Sequence, residues 1–140
     1  MKLPDVNVLV YAADRQSKYH TSAASWLEET ISLKAPLRIP SHVVIGVVRI
    51  LTHPRIYKSP LTAAEAFSFI GSLQAGDFHL LLPGERYLEI FRNLSIDLKA
   101  VGNLIPDLHL AALALEHDCE LVTFDRDFEK VTGLRTYRPR

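Results

Sequence analysis

The chain has 140 residues, 48% of them hydrophobic and 23% charged, which suits one folded domain with one core and excludes a disordered protein. Its apolar runs are too short to cross a bilayer, no basic-then-apolar leader marks it for export, and Cys119 is the only cysteine, so no disulfide framework is possible and a cytoplasmic protein is the expectation. Lys+Arg and Asp+Glu are both 16, giving zero formal net charge, so any nucleic-acid site must come from local segregation of charge rather than from an overall basic surface.

The predicted elements alternate short apolar runs with helical patterns, without repeats or linkers, over residues 1–140 as one domain. Met1 to Leu3 is a strand that leads straight to Asp5, and Asn7 to Ala13 is a short helix. Tyr19 to Leu33 is a longer helix, with Ala23, Leu27 and Ile31 at successive turns. Leu37 to Pro40 is a strand, and Ser41 is the expected N-cap of a helix running to about Thr52, where His53-Pro54 ends it. Thr62 and Glu65 have capping-box spacing at the head of the next helix. Phe78 to Leu82 is a strand, and Glu85 to Leu98 a helix with Tyr87, Phe91, Leu94 and Leu98 on one face. Pro106 is expected at the first position of a helix reaching His117, apolar nearly all round and therefore buried. Leu121 to Phe124 is a strand ending at Asp125, and Leu134 to Tyr137 adds an edge strand. This order argues for an α/β fold with a mainly parallel central sheet.

In open α/β sheets ligands bind beyond the carboxyl ends of the strands. Asp5 ends the first strand, Asp125 and Asp127 follow the late strand, and Asp107 lies in the first turn of the buried helix. Each has a bland alternative: Asp107 suits a helix dipole, and Asp5, Asp125 or Asp127 suits a cap. Gathered at one rim they would repel one another, since two like charges about 4 Å apart cost about 4 kcal/mol at an effective dielectric near 20. Such a cluster needs protons or a cation. Mg²⁺, with its preference for oxygen ligands and retained waters, is the expected cation. Thr123 and Asn7 stand where a hydroxyl or amide would orient an acid or bond phosphate, with local turn bonding as the alternative. The six histidines form no zinc motif.

Four segments carry a family resemblance. Pro4-Asp5-Val6-Asn7-Val8-Leu9-Val10-Tyr11-Ala12 looks like the first acidic motif of the PIN-domain nucleases. Arg49-Ile50-Leu51-Thr52-His53-Pro54-Arg55 looks like a segment of one subgroup of their VapC-type toxins. Gly102-Asn103-Leu104-Ile105-Pro106-Asp107, through Leu115-Glu116-His117, resembles the third motif, and Thr123-Phe124-Asp125-Arg126-Asp127-Phe128 the fourth. The resemblance implies a three-layer α/β/α sandwich, Mg²⁺ or Mn²⁺ as cofactor, endonuclease action on structured RNA, a homodimer, and a small antitoxin protein that blocks the site. It also implies that Asp5, Asp107 and Asp125 bind metal, that Asp127 is an auxiliary acid, and that Asn7, Asn103 and Thr123 are supporting polar residues. A metal so held would activate water for in-line attack on phosphorus, with Arg49 or Arg55 holding the phosphate backbone.

The sequence departs from the family at one place. Many PIN domains carry a glutamate three residues before the arginine of the helix after the second strand; that position here is Gly46, before Arg49. Glycine inside a helix costs about 1 kcal/mol against alanine, which asks for a reason. Close backbone packing is one; room for a water or a phosphate, with His42, Gly46, Arg49 and His53 as a basic stripe, is the other. Glu85 or Asp14 is a candidate to replace the acid. The alternative function is a catalytically silent module that binds RNA or a partner protein. Asp5-Val6-Asn7-Val8 is also faintly similar to the nucleophile motif of haloacid-dehalogenase phosphatases, but Asn7 cannot protonate a leaving group.

Overall fold

Five short strands run parallel in one sheet: β1 (Lys2–Pro4), β2 (Leu37–Pro40), β3 (Phe78–Leu81), β4 (Glu120–Val122) and β5 (Thr136–Tyr137). They come from a computed structural model that describes residues 1–140. The strand order is β3-β2-β1-β4-β5. The chain steps outward from β1 through β2 to β3, then returns past β1 to lay down β4 and β5. The reversal therefore falls between β1 and β4, and their carboxyl ends are the rim where such sheets bind ligands. The three-layer sandwich implied by the resemblance is the observed architecture, with a sheet that is parallel throughout.

Six helices cover the sheet: α1 (Val6–Ala13), α2 (His20–Ser32), α3 (Ser41–Leu51), α4 (Ala63–Ser72), α5 (Tyr87–Asp97) and α6 (Leu104–Glu116). Right-handed crossovers place α1 to α4 on one face and α5 with α6 on the other. The packing agrees: α1 lies on α2 and α3, α3 on α4, and α5 on α6. Val43, Val47 and Leu51 recur at four-residue spacing and fix the buried face of α3. α6 buries Leu108, Leu110, Ala111, Ala112, Leu113 and Ala114, as its apolar sequence requires. These side chains join Leu3, Leu9, Ile39, Leu121 and Phe128 in one continuous core. No helix is long and apolar enough to cross a membrane.

Most boundaries shift by one or two residues from expectation, and three of the shifts have a local reason. Ser41 is the first residue inside α3 rather than its cap; Pro40, in extended conformation, occupies the cap without a side-chain bond. α6 starts at Leu104, so Pro106 is its third residue, still within the first turn where no backbone donor is needed. β4 ends at Val122 because the Thr123 hydroxyl takes the Asp125 amide at 3.0 Å and turns the chain out of the sheet. The capping box at the head of α4 forms as expected, with Thr62 and Glu65 exchanging side-chain and backbone bonds.

Candidate functional site

The pairing of β1 with β4 sets Pro4 opposite Val122, and the Asp5 amide extends the ladder by donating to the Val122 carbonyl at 2.8 Å. That register brings Asp5 beside Thr123. The Thr123 hydroxyl is buried and donates to Asp5 Oδ2 at 2.9 Å while accepting the Asp125 amide. One hydroxyl thus ties the first acidic segment to the fourth.

The bland capping roles of Asp5 and Asp125 are real but incomplete. Asp5 Oδ1 accepts the Val6 amide at 2.7 Å at the head of α1. Asp125 Oδ1 accepts the Asp127 amide at 2.8 Å and caps the short 3-10 turn Arg126–Lys130. No bond from the chain is made to Asp125 Oδ2, leaving an oxygen free for a ligand. Burial pushes the Asp5 carboxyl above its ordinary value, the Thr123 and Val6 bonds pull it back, and the Asp125 charge pushes it up again.

Asp107 is different in kind. It sits in the first turn of α6, half-buried, and no hydrogen bond from the chain holds its carboxylate. Burial, then the charges of Asp5, Asp125 and Asp127, push it up to about 6. A carboxylate kept only for a helix dipole would lie low, not high. Asp107 and Asp127 line a cleft of about 140 Å³ with Leu104, Phe128 and Lys130. Asp127 is exposed and paired with Lys130 at 3.0 Å, so its charge is partly answered within the chain.

Asp5, Asp125 and Asp127 therefore all act on Asp107, which gathers the four expected acids at one rim. As the chain stands, no three His, Cys, Asp or Glu side chains close around an ion unaided. An all-oxygen donor set with one unbonded carboxylate suits a hydrated divalent cation, which keeps several of its waters, better than a closed protein cage. A larger cavity, about 510 Å³, lies elsewhere, between Asp14–Gln16 and Tyr57–Leu61, and holds none of these acids.

The remaining expected residues are less tightly placed. Asn7 lies on α1, partly exposed, and Asn103 is exposed at the cap of α6 without a side-chain bond. Arg49 is exposed on the last turn of α3 and Arg55 on the loop beyond; neither is within ion-pair distance of a carboxylate. Gly46 faces Val6: a Cβ there would stand 2.9 Å from Val6 Cγ2. Close packing of α3 on α1 is thus its reason, and Val6 fills the space that a water or phosphate would need. The basic stripe is not a stripe either, because His42 turns to α6 and bonds His109. Neither candidate replacement acid joins the cluster. Asp14 bonds the Tyr57 hydroxyl at 3.4 Å in the large cavity, and Glu85 is exposed ahead of α5.

Two groups at this rim had no signal in the sequence. His42 on α3 and His109 on α6 share a hydrogen bond of 3.0 Å between Nδ1 and Nε2, and His109 Nδ1 shares another with the Tyr87 hydroxyl. This chain joins the helices of opposite sheet faces. Tyr11, Tyr19 and Phe124 form an aromatic cluster, with ring centroids 4.8–5.4 Å apart, beside Asp125. Tyr11, His109 and Phe124 lie within the quoted segments, but no spacing shows that either group meets, because its members come from separate elements.

Residues 2–134 match the family model for the PIN domain. Ribonuclease VapC25 of Mycobacterium tuberculosis is 36% identical over 140 residues, covering 99% of both chains. Ribonuclease VapC43 of the same organism is 37% identical over 136 residues, covering 96% of this chain and 92% of the relative. Among solved structures, VapBC2 from Rickettsia felis bound to a promoter DNA fragment superposes with a TM-score of 0.73 at 19% identity, over 99% of this chain and 98% of that one. A toxin–antitoxin complex from Klebsiella pneumoniae gives 0.64 at 20% identity, over 99% of each chain.

Proposed function

This chain belongs to the PIN-domain family and to its VapC ribonuclease branch, and from that premise we propose that it is a metal-dependent endoribonuclease, the toxin of a toxin–antitoxin pair. Its substrate is structured RNA, in which it hydrolyses phosphodiester bonds. The observation that carries the reading is Asp107: a half-buried carboxylate without a donor from the chain, raised to about 6 among three further acids. An acid cluster that destabilises itself is retained where a cation offsets the repulsion.

Asp5, Asp107 and Asp125 hold Mg²⁺ or Mn²⁺ through carboxylate oxygens, and Asp127 adds negative charge at the edge. A cation held there supplies activation of water and neutralisation of charge on the scissile phosphate. Thr123 fixes the Asp5 carboxylate and the turn that carries Asp125. Asn7 and Asn103, whose side-chain amides have no hydrogen-bond partner at the heads of α1 and α6, bond substrate or water. Arg49, unpaired and exposed, holds the phosphate backbone.

Solved neighbours are described as VapBC and toxin–antitoxin complexes, which supports a small antitoxin protein as partner. A homodimer is proposed from the outer layer. α5 has no buried residue, and Leu80, Leu82, Leu88 and Ile96 are each more than half exposed along β3 and α5.

The test is cleavage of a mixed pool of structured cellular RNAs by the purified chain with Mg²⁺, with Mn²⁺ and with chelator, beside Asp5→Ala. Discrete cuts that need both metal and Asp5 are the expected result. Intact RNA under every condition would leave the family's fold as a binding module.

A further inference from the structure

Phe124 follows the Thr123 clasp and precedes Asp125, so its ring stands at the carboxyl edge of β4, beside the acids. Tyr11 meets it edge-on at 5.4 Å between centroids, and Tyr19 packs on it at 4.8 Å with the ring planes tilted by 31°. Arg138 follows β5, whose carboxyl end lies on the same rim because the strands are parallel. Its guanidinium donates to the Phe124 carbonyl at 2.6 Å, and its Cζ stands 5.3 Å from the Phe124 centroid and 5.8 Å from that of Tyr19. Lys18 Nζ stands 4.9 Å from the Tyr19 centroid.

The arginine is held without being neutralised. It makes no ion pair with any carboxylate of the chain, unlike Lys2, Arg38, Lys130 and Arg135. One of its five N–H donors is used on a carbonyl; the others have no partner in the chain, and the side chain is exposed. It shares a small cleft, about 30 Å³, with Thr123, Phe124, Asp125 and Tyr137. A surface arginine left to solvent would sample many rotamers; this one is fixed over two rings by a hydrogen bond and by cation–π attraction. The rim otherwise carries four carboxylates, which repel a phosphate backbone, so a substrate needs a fixed cation beside them.

Aromatic rings and guanidinium planes are the surfaces on which proteins stack splayed-out RNA bases, and arginine adds bidentate donors to phosphate. A base-paired duplex cannot offer a free base face to them. We propose that Arg138, backed by Phe124 and Tyr19 and joined by Lys18, forms a subsite that stacks one unpaired base and holds its phosphate next to the acidic cluster. The inference rests on the RNA-cutting reading of that cluster and adds the residues that seat one nucleotide beside it: Arg138, with Phe124, Tyr19 and Lys18.

Binding is measured in chelator, where no cutting occurs, with the full chain and a six-nucleotide unpaired RNA. The same RNA is also paired with its complement, and replaced base by base with an abasic sugar. The unpaired strand binds more tightly than the duplex, and one abasic position weakens binding about tenfold, the size of one base stacked on an aromatic or guanidinium face. Arg138→Gln removes the abasic effect and lowers the salt slope by about one. Arg138→Lys keeps the salt slope but also loses the abasic effect, which a purely electrostatic role would not. Equal binding of duplex and single strand, or an abasic effect that survives Arg138→Gln, overturns the subsite. Both variants alter an exposed side chain, and melting curves verify that they fold. Cleavage with Mg²⁺ is read separately: wild type that shows the stacking signature without cutting supports the subsite and overturns the nuclease reading.

Discussion

Thr123 donates its hydroxyl hydrogen to Asp5 Oδ2 at 2.9 Å across 118 positions of sequence. The bond exists because β1 and β4 are neighbours in register, and it makes the fourth acidic segment a support for the first. Thr123→Val keeps the shape and removes both the donor to Asp5 and the acceptor for the Asp125 amide. The expected cost is about 1–3 kcal/mol of stability, since two partly buried groups lose their partner. Cleavage should fall at least tenfold, with its acid limb moved to higher pH because Asp5 loses a bond that favours the charged form. Thr123→Ser should retain most activity. Thermal melts and pH–rate profiles of both variants check this, and an unchanged acid limb in Thr123→Val would remove Thr123 from the site.

Asp107 makes the metal-free protein pH-sensitive in a defined direction. Its carboxyl lies at about 6 in the folded chain against an ordinary 3.8. Between those values the folded state binds more protons than the unfolded one, so this group makes stability fall as pH rises through the window and stay low above it. Asp107→Asn should remove that fall and stabilise the metal-free chain at pH 7 by on the order of 1 kcal/mol, allowing for solvent screening of a half-exposed group. The same variant should abolish cleavage. Denaturant melts at several pH values in chelator measure the effect; a destabilised Asp107→Asn would return the residue to a capping role.

The bond between His42 and His109 works in the opposite direction. Burial, then the neighbouring His109, lowers His42 from 6.5 to about 4, and burial lowers His109. In that range the unfolded chain binds more protons than the folded one, so these groups make stability rise with pH and plateau above the ordinary histidine value. His42→Gln should flatten the rise. Tyr87→Phe keeps the ring packed on Phe91 and should cost about 1 kcal/mol through the lost hydroxyl. Melts of each variant between pH 4 and pH 7 check both statements.

Gly46 packs against Val6 so closely that a methyl group forces a shift. Gly46→Ala should destabilise by about 1–2 kcal/mol through overpacking, despite a helix-propensity gain of about 1 kcal/mol. Gly46→Glu, which would restore the family's missing acid, should destabilise further and add no activity. Combining Gly46→Ala with Val6→Ala should cost less than the two changes summed. An additive double variant would mean that the contact is not what excludes a side chain.

The elements and the acids were legible because each leaves a local mark. The burial of α6 follows from its apolar sequence, the α4 capping box from Thr62 and Glu65, and the placement of Asp5 and Asp125 from runs that end in an acid. Thr123 could be named as a support, but the choice between a turn bond and a bond to Asp5 needed the strand register; it makes both. Helix starts at Ser41 and Leu104 shifted because a proline fixes its own φ without stating which residue of the first turn it occupies. The sequence offered close packing as one of two reasons for Gly46 but not its partner Val6, and the His42–His109–Tyr87 chain and the Arg138 platform were not legible. Each joins residues from elements that meet only in the folded sheet, and no spacing in the chain encodes that meeting.

The central claim is that Asp5, Asp107 and Asp125 form one cation site. Its most direct test is calorimetry of Mn²⁺ binding at pH 7 to the wild type and to Asp5→Asn, Asp107→Asn and Asp125→Asn. The account predicts binding to the wild type that each single substitution weakens at least tenfold. Undetectable binding by the folded wild type, or a site that survives all three substitutions, would contradict it.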